Sequence, residues 1–154
     1  MKIIAAAMLF VLAGLALPSG AAGPSDADAK LLVEKLVQAL NSRDSAALKS
    51  IYHRDLWMTA CNSFERLVGH VVFGDGSDTT FENLQTSSAS LIIPPKIAGP
   101  SPVGRVPVIF AIRWVYASRD IDGSSGELSL AIRWEVGSVG GSWKVMRQYS
   151  QPCD

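Results

Sequence analysis

The final third of the chain places the tightest limit on its fold. Between residues 103 and 152 it reads as three long amphipathic strands. In the first, Val108, Phe110, Ile112, Trp114 and Tyr116 alternate with Ile109, Ala111, Arg113, Val115 and Ala117. In the second, Leu128, Leu130, Ile132, Trp134 and Val136 alternate with Glu127, Ser129, Ala131, Arg133 and Glu135. In the third, Trp143, Val145, Arg147 and Tyr149 alternate with Lys144, Met146, Gln148 and Ser150. A period of two with one polar face predicts a half-buried antiparallel sheet. The glycine-bearing stretches 120–126 and 137–141 supply its turns.

Helical periodicity comes earlier. Leu32, Val33, Leu36, Val37 and Leu40 form one apolar stripe over residues 26–40, with Ser25 or Asp26 placed to cap it. Asn41, Ser42 and Arg43 break that stripe. Asp44 can cap a second helix over residues 45–53, carrying Ala47, Leu48, Ile51 and Tyr52. Residues 55–61 predict a short extended piece with Trp57, and Phe64, Leu67, Val68 and Val71 a third helix. Leu84 to Ile93 predicts a further strand, stopped by Pro94 and Pro95 because proline lacks the ladder donor. Helices first and a long meander last is the order of an α+β domain, with helices covering one face of a curved antiparallel sheet.

The N-terminus reads as a secretory signal: Lys2, an apolar run from Ile3 to Leu17, then Pro18, Ser19, Gly20, Ala21 and Ala22. Pro18 and Gly20 interrupt that run before the roughly 20 apolar residues needed to span a bilayer. Residues 1–22 are therefore expected to leave, and residues 23–154 to form one domain, exported to a bacterial periplasm or secreted. No membrane span is expected after signal cleavage. The 14 basic and 14 acidic residues are scattered, without the basic footprint of a nucleic-acid binder. Export would place Cys61 and Cys153 in an oxidising compartment, where a disulfide is expected. On the chain-entropy account, closing that loop stabilises by roughly 4 kcal/mol. A free thiol or a nucleophilic cysteine is the alternative, and no base lies near Cys61 in sequence.

The arrangement resembles the nuclear transport factor 2-like (SnoaL-like) superfamily, in particular its small exported bacterial members. The resemblance is carried by Val37 to Leu40, then Asn41-Ser42-Arg43-Asp44-Ser45-Ala46-Ala47-Leu48 and Ile51-Tyr52-His53-Arg54-Asp55. At the far end it is carried by Gly141-Ser142-Trp143-Lys144-Val145 through Tyr149 to Ser150. It implies a cone: a strongly bent sheet around a cavity closed by the N-terminal helices. Its members include ketosteroid isomerase-like and polyketide cyclase-like enzymes, dehydratases, and binding or assembly modules without activity. Enzymatic members put an Asp–His or Tyr–Asp set inside the cone, and no such set maps onto this sequence.

The residues themselves support little chemistry. His53 and His70 lack metal-ligand spacing, and no phosphate loop or nucleophile elbow occurs. Neither metal nor cofactor is expected. His53 with Asp55 is the acid–base candidate, but a histidine ending a helix is more simply a favourable cation there. Inward aromatic side chains would instead wall a pocket for a small apolar molecule. Tyr52, Trp57, Trp114, Tyr116, Trp134, Arg147 and Tyr149 are the expected lining. Arg147 shares the inward parity and so needs a partner, Glu65, Asp55 or an anionic ligand. The opposite parity, Arg113, Glu127, Arg133, Glu135 and Lys144, predicts cross-strand ion pairs on an exposed or dimer-forming face. The leading expectation is a non-catalytic binding or accessory domain. An isomerase, cyclase or dehydratase using His53 or Asp55, with Tyr149 or Tyr52 polarising a carbonyl, is the alternative; so is an envelope protein-interaction module. The thiols test the disulfide: alkylation of the non-reduced mature protein is expected to label neither cysteine, and labelling of both refutes the pairing.

Overall fold

The structure is a computed structural model that describes residues 23–58, 63–73, 81–99, 104–119 and 125–151. The expected leader, Cys61 and Cys153 lie outside the described residues. Helices α1 (Asp26–Ser42) and α2 (Ser45–Ile51) lead into strand β1 (Tyr52–Met58), helix α3 (Ser63–Phe73) and a single 3-10 turn (Phe81–Asn83). Four long strands follow: β2 (Leu84–Ile97), β3 (Val106–Ser118), β4 (Ser125–Val139) and β5 (Ser142–Gln151). They form one open sheet in the order β1-β5-β4-β3-β2. The last four strands pair antiparallel, as their alternation predicts, while β1 adds a parallel edge beside β5.

The helix starts follow from local chemistry. Ser25 caps α1 in a capping box with Asp28, and Asp44 accepts the Ala47 N–H at 2.9 Å to cap α2. Helix α1 runs to Ser42 and closes on Arg43 in the left-handed region, φ 55°. Helix α2 stops at Ile51, two residues before the expected end, because Tyr52 already has extended backbone and opens β1. His53 is therefore a strand residue, which removes the helix-end account of it.

The prolines also act differently from expectation. Strand β2 continues through Pro94 and Pro95 to Ile97, with register shifts between Leu91 and Ile93 and between Ile93 and Lys96. As an edge strand it pairs on one side only, so one of the two missing donors can face the free side, and the other falls within the register shift between Ile93 and Lys96.

The core lies between the helices and one sheet face. Leu32, Val33, Leu36 and Leu40 of α1, Leu48 and Ile51 of α2, and Phe64, Leu67 and Val68 of α3 are buried. They meet Val108, Phe110, Ile112, Trp114, Leu130, Ile132, Trp134, Val136 and Val145. Each such side chain contributes about 1.5–3 kcal/mol of apolar burial.

A polar clamp fixes α1 to the sheet. Asn41 donates through Nδ2 to the Ala89 carbonyl at 3.0 Å and accepts the Ala89 N–H at 2.6 Å. Its amide thus does for edge strand β2 what a further strand would do. Arg43 Nη1 donates to the Leu84 carbonyl at the start of the same strand. Ala89 is 6% exposed, so breaking the clamp would strand two buried backbone groups. Asn41→Ala is expected to lower stability by about 2 kcal/mol, read as a lower urea midpoint. A loss under about 0.5 kcal/mol, the range of an ordinary surface substitution, would refute the clamp.

Candidate functional site

The inner sheet face combines an aromatic wall with a short polar row. Tyr52 is the first residue of β1 and is 4% exposed. Its hydroxyl donates to Gln148 Oε1 at 2.8 Å. Trp134 Nε1 donates to the same oxygen at 2.7 Å. An indole N–H can only donate, so the Gln148 atom it meets must be the amide oxygen. The amide nitrogen is thereby turned away from both rings, and it is buried without a hydrogen-bond partner. Trp134 also meets the Tyr52 ring edge-on at 6.1 Å and the Phe110 ring at 4.7 Å.

Two residues along β5, the Ser150 hydroxyl donates to Glu65 Oε1 at 2.7 Å. Glu65 comes from the first turn of α3 and is fully buried. Burial, and secondarily the Glu65 carboxylate, push the Tyr52 phenol well above the usual tyrosine range. A second aromatic group lies towards β2. Trp114 stacks on Tyr116 at 4.6 Å, meets Phe64 edge-on at 5.9 Å and donates through Nε1 to Ser87 Oγ at 2.8 Å. Gly126 makes room for Tyr116: a Cβ there would stand 2.6 Å from its ring.

Tyr52, Trp114, Tyr116 and Trp134 of the expected lining therefore share the inner face. The backbone of Trp57 belongs to β1, opposite Arg147; its side chain lies outside what is described. Arg147 and Tyr149 require a correction, because both are on the outer face. The β4–β5 register runs Val136 to Val145 and then Glu135 to Arg147, so Met146 is an extra residue. This β-bulge reverses the parity of everything after it. Trp134 is paired with Gln148 and Ile132 with Ser150, whereas Arg133 is paired with Tyr149 and Glu135 with Arg147. The Arg147 guanidinium lies 5.2 Å from the centre of the Tyr149 ring, and Tyr149 lines a shallow outer depression with Ile109, Ala131 and Arg133.

The weak catalytic pair does not join the inner row. His53 follows inward-facing Tyr52 on β1, and its Nδ1 accepts the Asp55 N–H at 3.2 Å. The Asp55 side chain is 71% exposed. The outer face does carry a cross-strand ion pair, Arg113 Nε to Glu127 Oε1 at 2.6 Å, with Arg105 3.6 Å from Glu135. Lys144 instead donates to the Ser50 carbonyl. Among the described residues, no cluster of three His, Cys, Asp or Glu side chains could hold a metal, and no helix is long and apolar enough to cross a membrane.

Glu65, Gln148 and Ser150 were not among the expected site residues. Glu65 had a signal, since it stands three residues before Val68 on the α3 stripe. Gln148 and Ser150 had none without the bulge. The arrangement sets a buried amide and a buried carboxylate among aromatic rings on one sheet face. Tyr52 supplies a check: in the folded protein its phenol resists ionisation, whereas an unfolded tyrosine ionises near pH ~10. The stability linked to Tyr52 is thus complete below about pH 10 and falls as pH rises beyond it. Absorbance titration at 295 nm is expected to give equal amplitudes for the native wild type and Tyr52→Phe, with the wild type gaining one phenolate on unfolding. A native amplitude one tyrosine larger in the wild type refutes the burial argument.

Sequence comparison finds neither a matching protein-family model nor a matching curated protein. Solved structures do match. A nuclear transport factor 2-like superfamily protein from Salmonella enterica serovar Typhimurium superposes with a TM-score of 0.62 at 8% identity, over 84% of this chain and 91% of that one. A hexachlorocyclohexane dehydrochlorinase from Novosphingobium barchaimii gives 0.57 at 14% identity, over 81% and 84%. A proposed scytalone dehydratase from Novosphingobium aromaticivorans gives 0.59 at 12% identity, over 81% of both chains. Identities this low speak for fold and leave chemistry to the site itself. With its helices on one face of an open, mixed five-stranded sheet, the chain has the nuclear transport factor 2-like fold.

Proposed function

We propose that this is an exported, non-catalytic binding or accessory domain whose interior accepts a small, largely apolar molecule. The carrying observation is the composition of the inner face. Trp114, Trp134, Phe64, Phe110 and Tyr52 are buried there, and the polar atoms among them are few and mostly committed to one another. Tyr52 already donates its hydroxyl to Gln148, so it has no proton left to polarise a substrate carbonyl. His53 and Asp55 stand apart from this row. In this reading residues 1–22 are a cleaved leader, the mature domain is periplasmic or secreted, and Cys61 pairs with Cys153. The outer sheet face, with Ile109, Val115 and Tyr149, serves a second copy of the chain; Ile109 and Val115 are exposed there.

One observation favours the isomerase, cyclase or dehydratase alternative. Glu65 is a buried carboxylate close enough to Tyr52 to raise its phenol, and a buried carboxylate can serve as a general base. In that version Glu65 takes the role first considered for His53. The names of two structurally similar proteins, a dehydrochlorinase and a proposed dehydratase, lend this alternative a precedent within the fold.

Native mass spectrometry of protein purified from its own envelope separates the outcomes. The expected result is a retained small apolar molecule. Protein that arrives empty, and whose tryptophan emission does not respond to an apolar fluorescent probe, would refute the binding reading. Incubation with 2-tetralone in D2O addresses catalysis: no exchange at the α-carbon above buffer is expected. Exchange that disappears in Glu65→Gln would replace the binding reading with the enzymatic one.

A further inference from the structure

We infer that two copies of this chain pack their outer sheet faces together in one register. Its two-fold axis lies between the sheets, perpendicular to the strands and level with Ile112 of β3 and Leu130 of β4. This rests on the reading above that the outer face serves a second copy, and adds which residues meet across it.

The inference begins with a charge left over. On the outer face Glu127 matches Arg113 at 2.6 Å, and Glu135 lies 3.6 Å from Arg105. Arg133 stands between the two glutamates on β4, exposed, and has no hydrogen-bond or ion-pair partner among the described residues. It borders the depression that Ile109, Ala131 and Tyr149 also line. Glu127 commits Oε1 to Arg113, and its second carboxylate oxygen can accept from another cation. Within one chain Glu127 and Arg133 stand six residues apart along the strand, roughly 20 Å. They can meet only between copies.

The register that brings them together also pairs the apolar residues. The outward residues of β4 run Glu127, Ser129, Ala131, Arg133, and those of β3 run Ile109, Ala111, Arg113, Val115. Val115 lies beside Glu127 and Ile109 beside Arg133. Rotation about the stated axis lays each strand antiparallel over itself. Glu127 then faces the partner's Arg133, Val115 faces the partner's Ile109, and Arg113 lies over the partner's Ala111. Two-fold symmetry makes each contact twice. The neighbours Val115 and Glu127 of one copy thus enter the depression of the other. Ile109 and Val115 are 42% and 39% exposed, so both have apolar surface to bury. Ser129 and Ala131 face each other near the axis, where small side chains allow close approach. Aligned sheets cross at about 30°, so a residue ~10 Å from the axis is displaced sideways by ~5 Å, within reach of Arg and Glu. Neighbouring settings bring like charges together. An axis along the strands over β4 sets Arg133 on Arg133, one level with Ala131 sets Glu127 on Glu135, and one level with Ser129 sets Arg113 on Arg113.

Sedimentation equilibrium of the mature protein is expected to show a dimer that weakens as NaCl is raised. Arg133→Glu sets two carboxylates against each other at both symmetric contacts and is expected to weaken dimerisation about tenfold or more. Its residual dimer is expected to strengthen with NaCl, because salt then screens a repulsion in place of an attraction. Arg133 has no partner within the described part of its own chain, so this readout stands should the complementary variant fold poorly. Glu127→Arg alone is expected to dimerise as weakly. An equimolar mixture of the two variants restores both contacts and is expected to give the heterodimer in native mass spectrometry. Wild-type affinity in Arg133→Glu, a salt dependence of unchanged sign, or a mixture without preference for the heterodimer each overturns the register and leaves the second-copy reading standing. A wild-type protein that stays monomeric at every concentration overturns both.

Discussion

One inserted residue decides what the interior of this domain is made of. Met146 is the extra residue where β5 passes β4, between the Val136–Val145 and Glu135–Arg147 pairs. Before it, Val145 faces the core; after it, Gln148 and Ser150 do. Without the bulge, the same strand would drive Arg147 and Tyr149 against Trp134 and put Gln148 in water. A guanidinium there would need a fully satisfied partner set in a low-dielectric interior. The bulge places a neutral amide and a hydroxyl at those positions instead and sends the cation to the outer face, above the Tyr149 ring. It also sharpens the local twist, which helps an open sheet curve over its helices.

The interior polar atoms then behave as linked sets. Trp134, Tyr52 and Gln148 form one, in which two donors share a single acceptor. Ser150 and Glu65 form the other. Members of such sets contribute jointly, because removing one strands the others in low dielectric. Trp134 shows the coupling best. It fills core volume, meets Tyr52 and Phe110 edge-on and dictates which way the Gln148 amide points. One side chain therefore ties the packing to the polar row, and neither can be altered there alone.

The legible parts of this fold were those governed by local periodicity. Strands β3 and β4 follow unbroken alternation, so Trp114 and Trp134 could be assigned inward from sequence, and Arg113 with Glu127 outward. The capping role of Asp44 was equally local. What stayed hidden depended on partners distant in sequence. The bulge at Met146 is set by the β4 register, and nothing in the residues around Met146 marks it. Passage of β2 through Pro94 and Pro95 depends on β2 being an edge and on the register shift against β3, which are facts of topology and pairing. Asn41 read as a helix breaker because its partner, the Ala89 backbone, is 48 residues away. Glu65 was considered only as a partner for Arg147, and its partner in the fold is Ser150, 85 residues away. The site was therefore half visible: its aromatic walls came from alternation, while its polar row came from a slipped register.

That division bears on how far likeness of fold can carry function. Structures with 8–14% identity share the helices-on-sheet frame with this chain. The frame is maintained by alternation and capping, which many sequences satisfy. The chemistry depends on which few polar atoms the frame turns inward, and a one-residue shift in one strand exchanges that set completely. In this chain the exchange removes an arginine and a tyrosine hydroxyl from the interior and supplies an amide whose oxygen is already occupied. An interior so arranged ties its polar atoms to one another. Proton transfer would have to come from Glu65, whose carboxylate accepts from Ser150. Catalysis would therefore ask Glu65 to leave or share a contact that its burial makes costly to break.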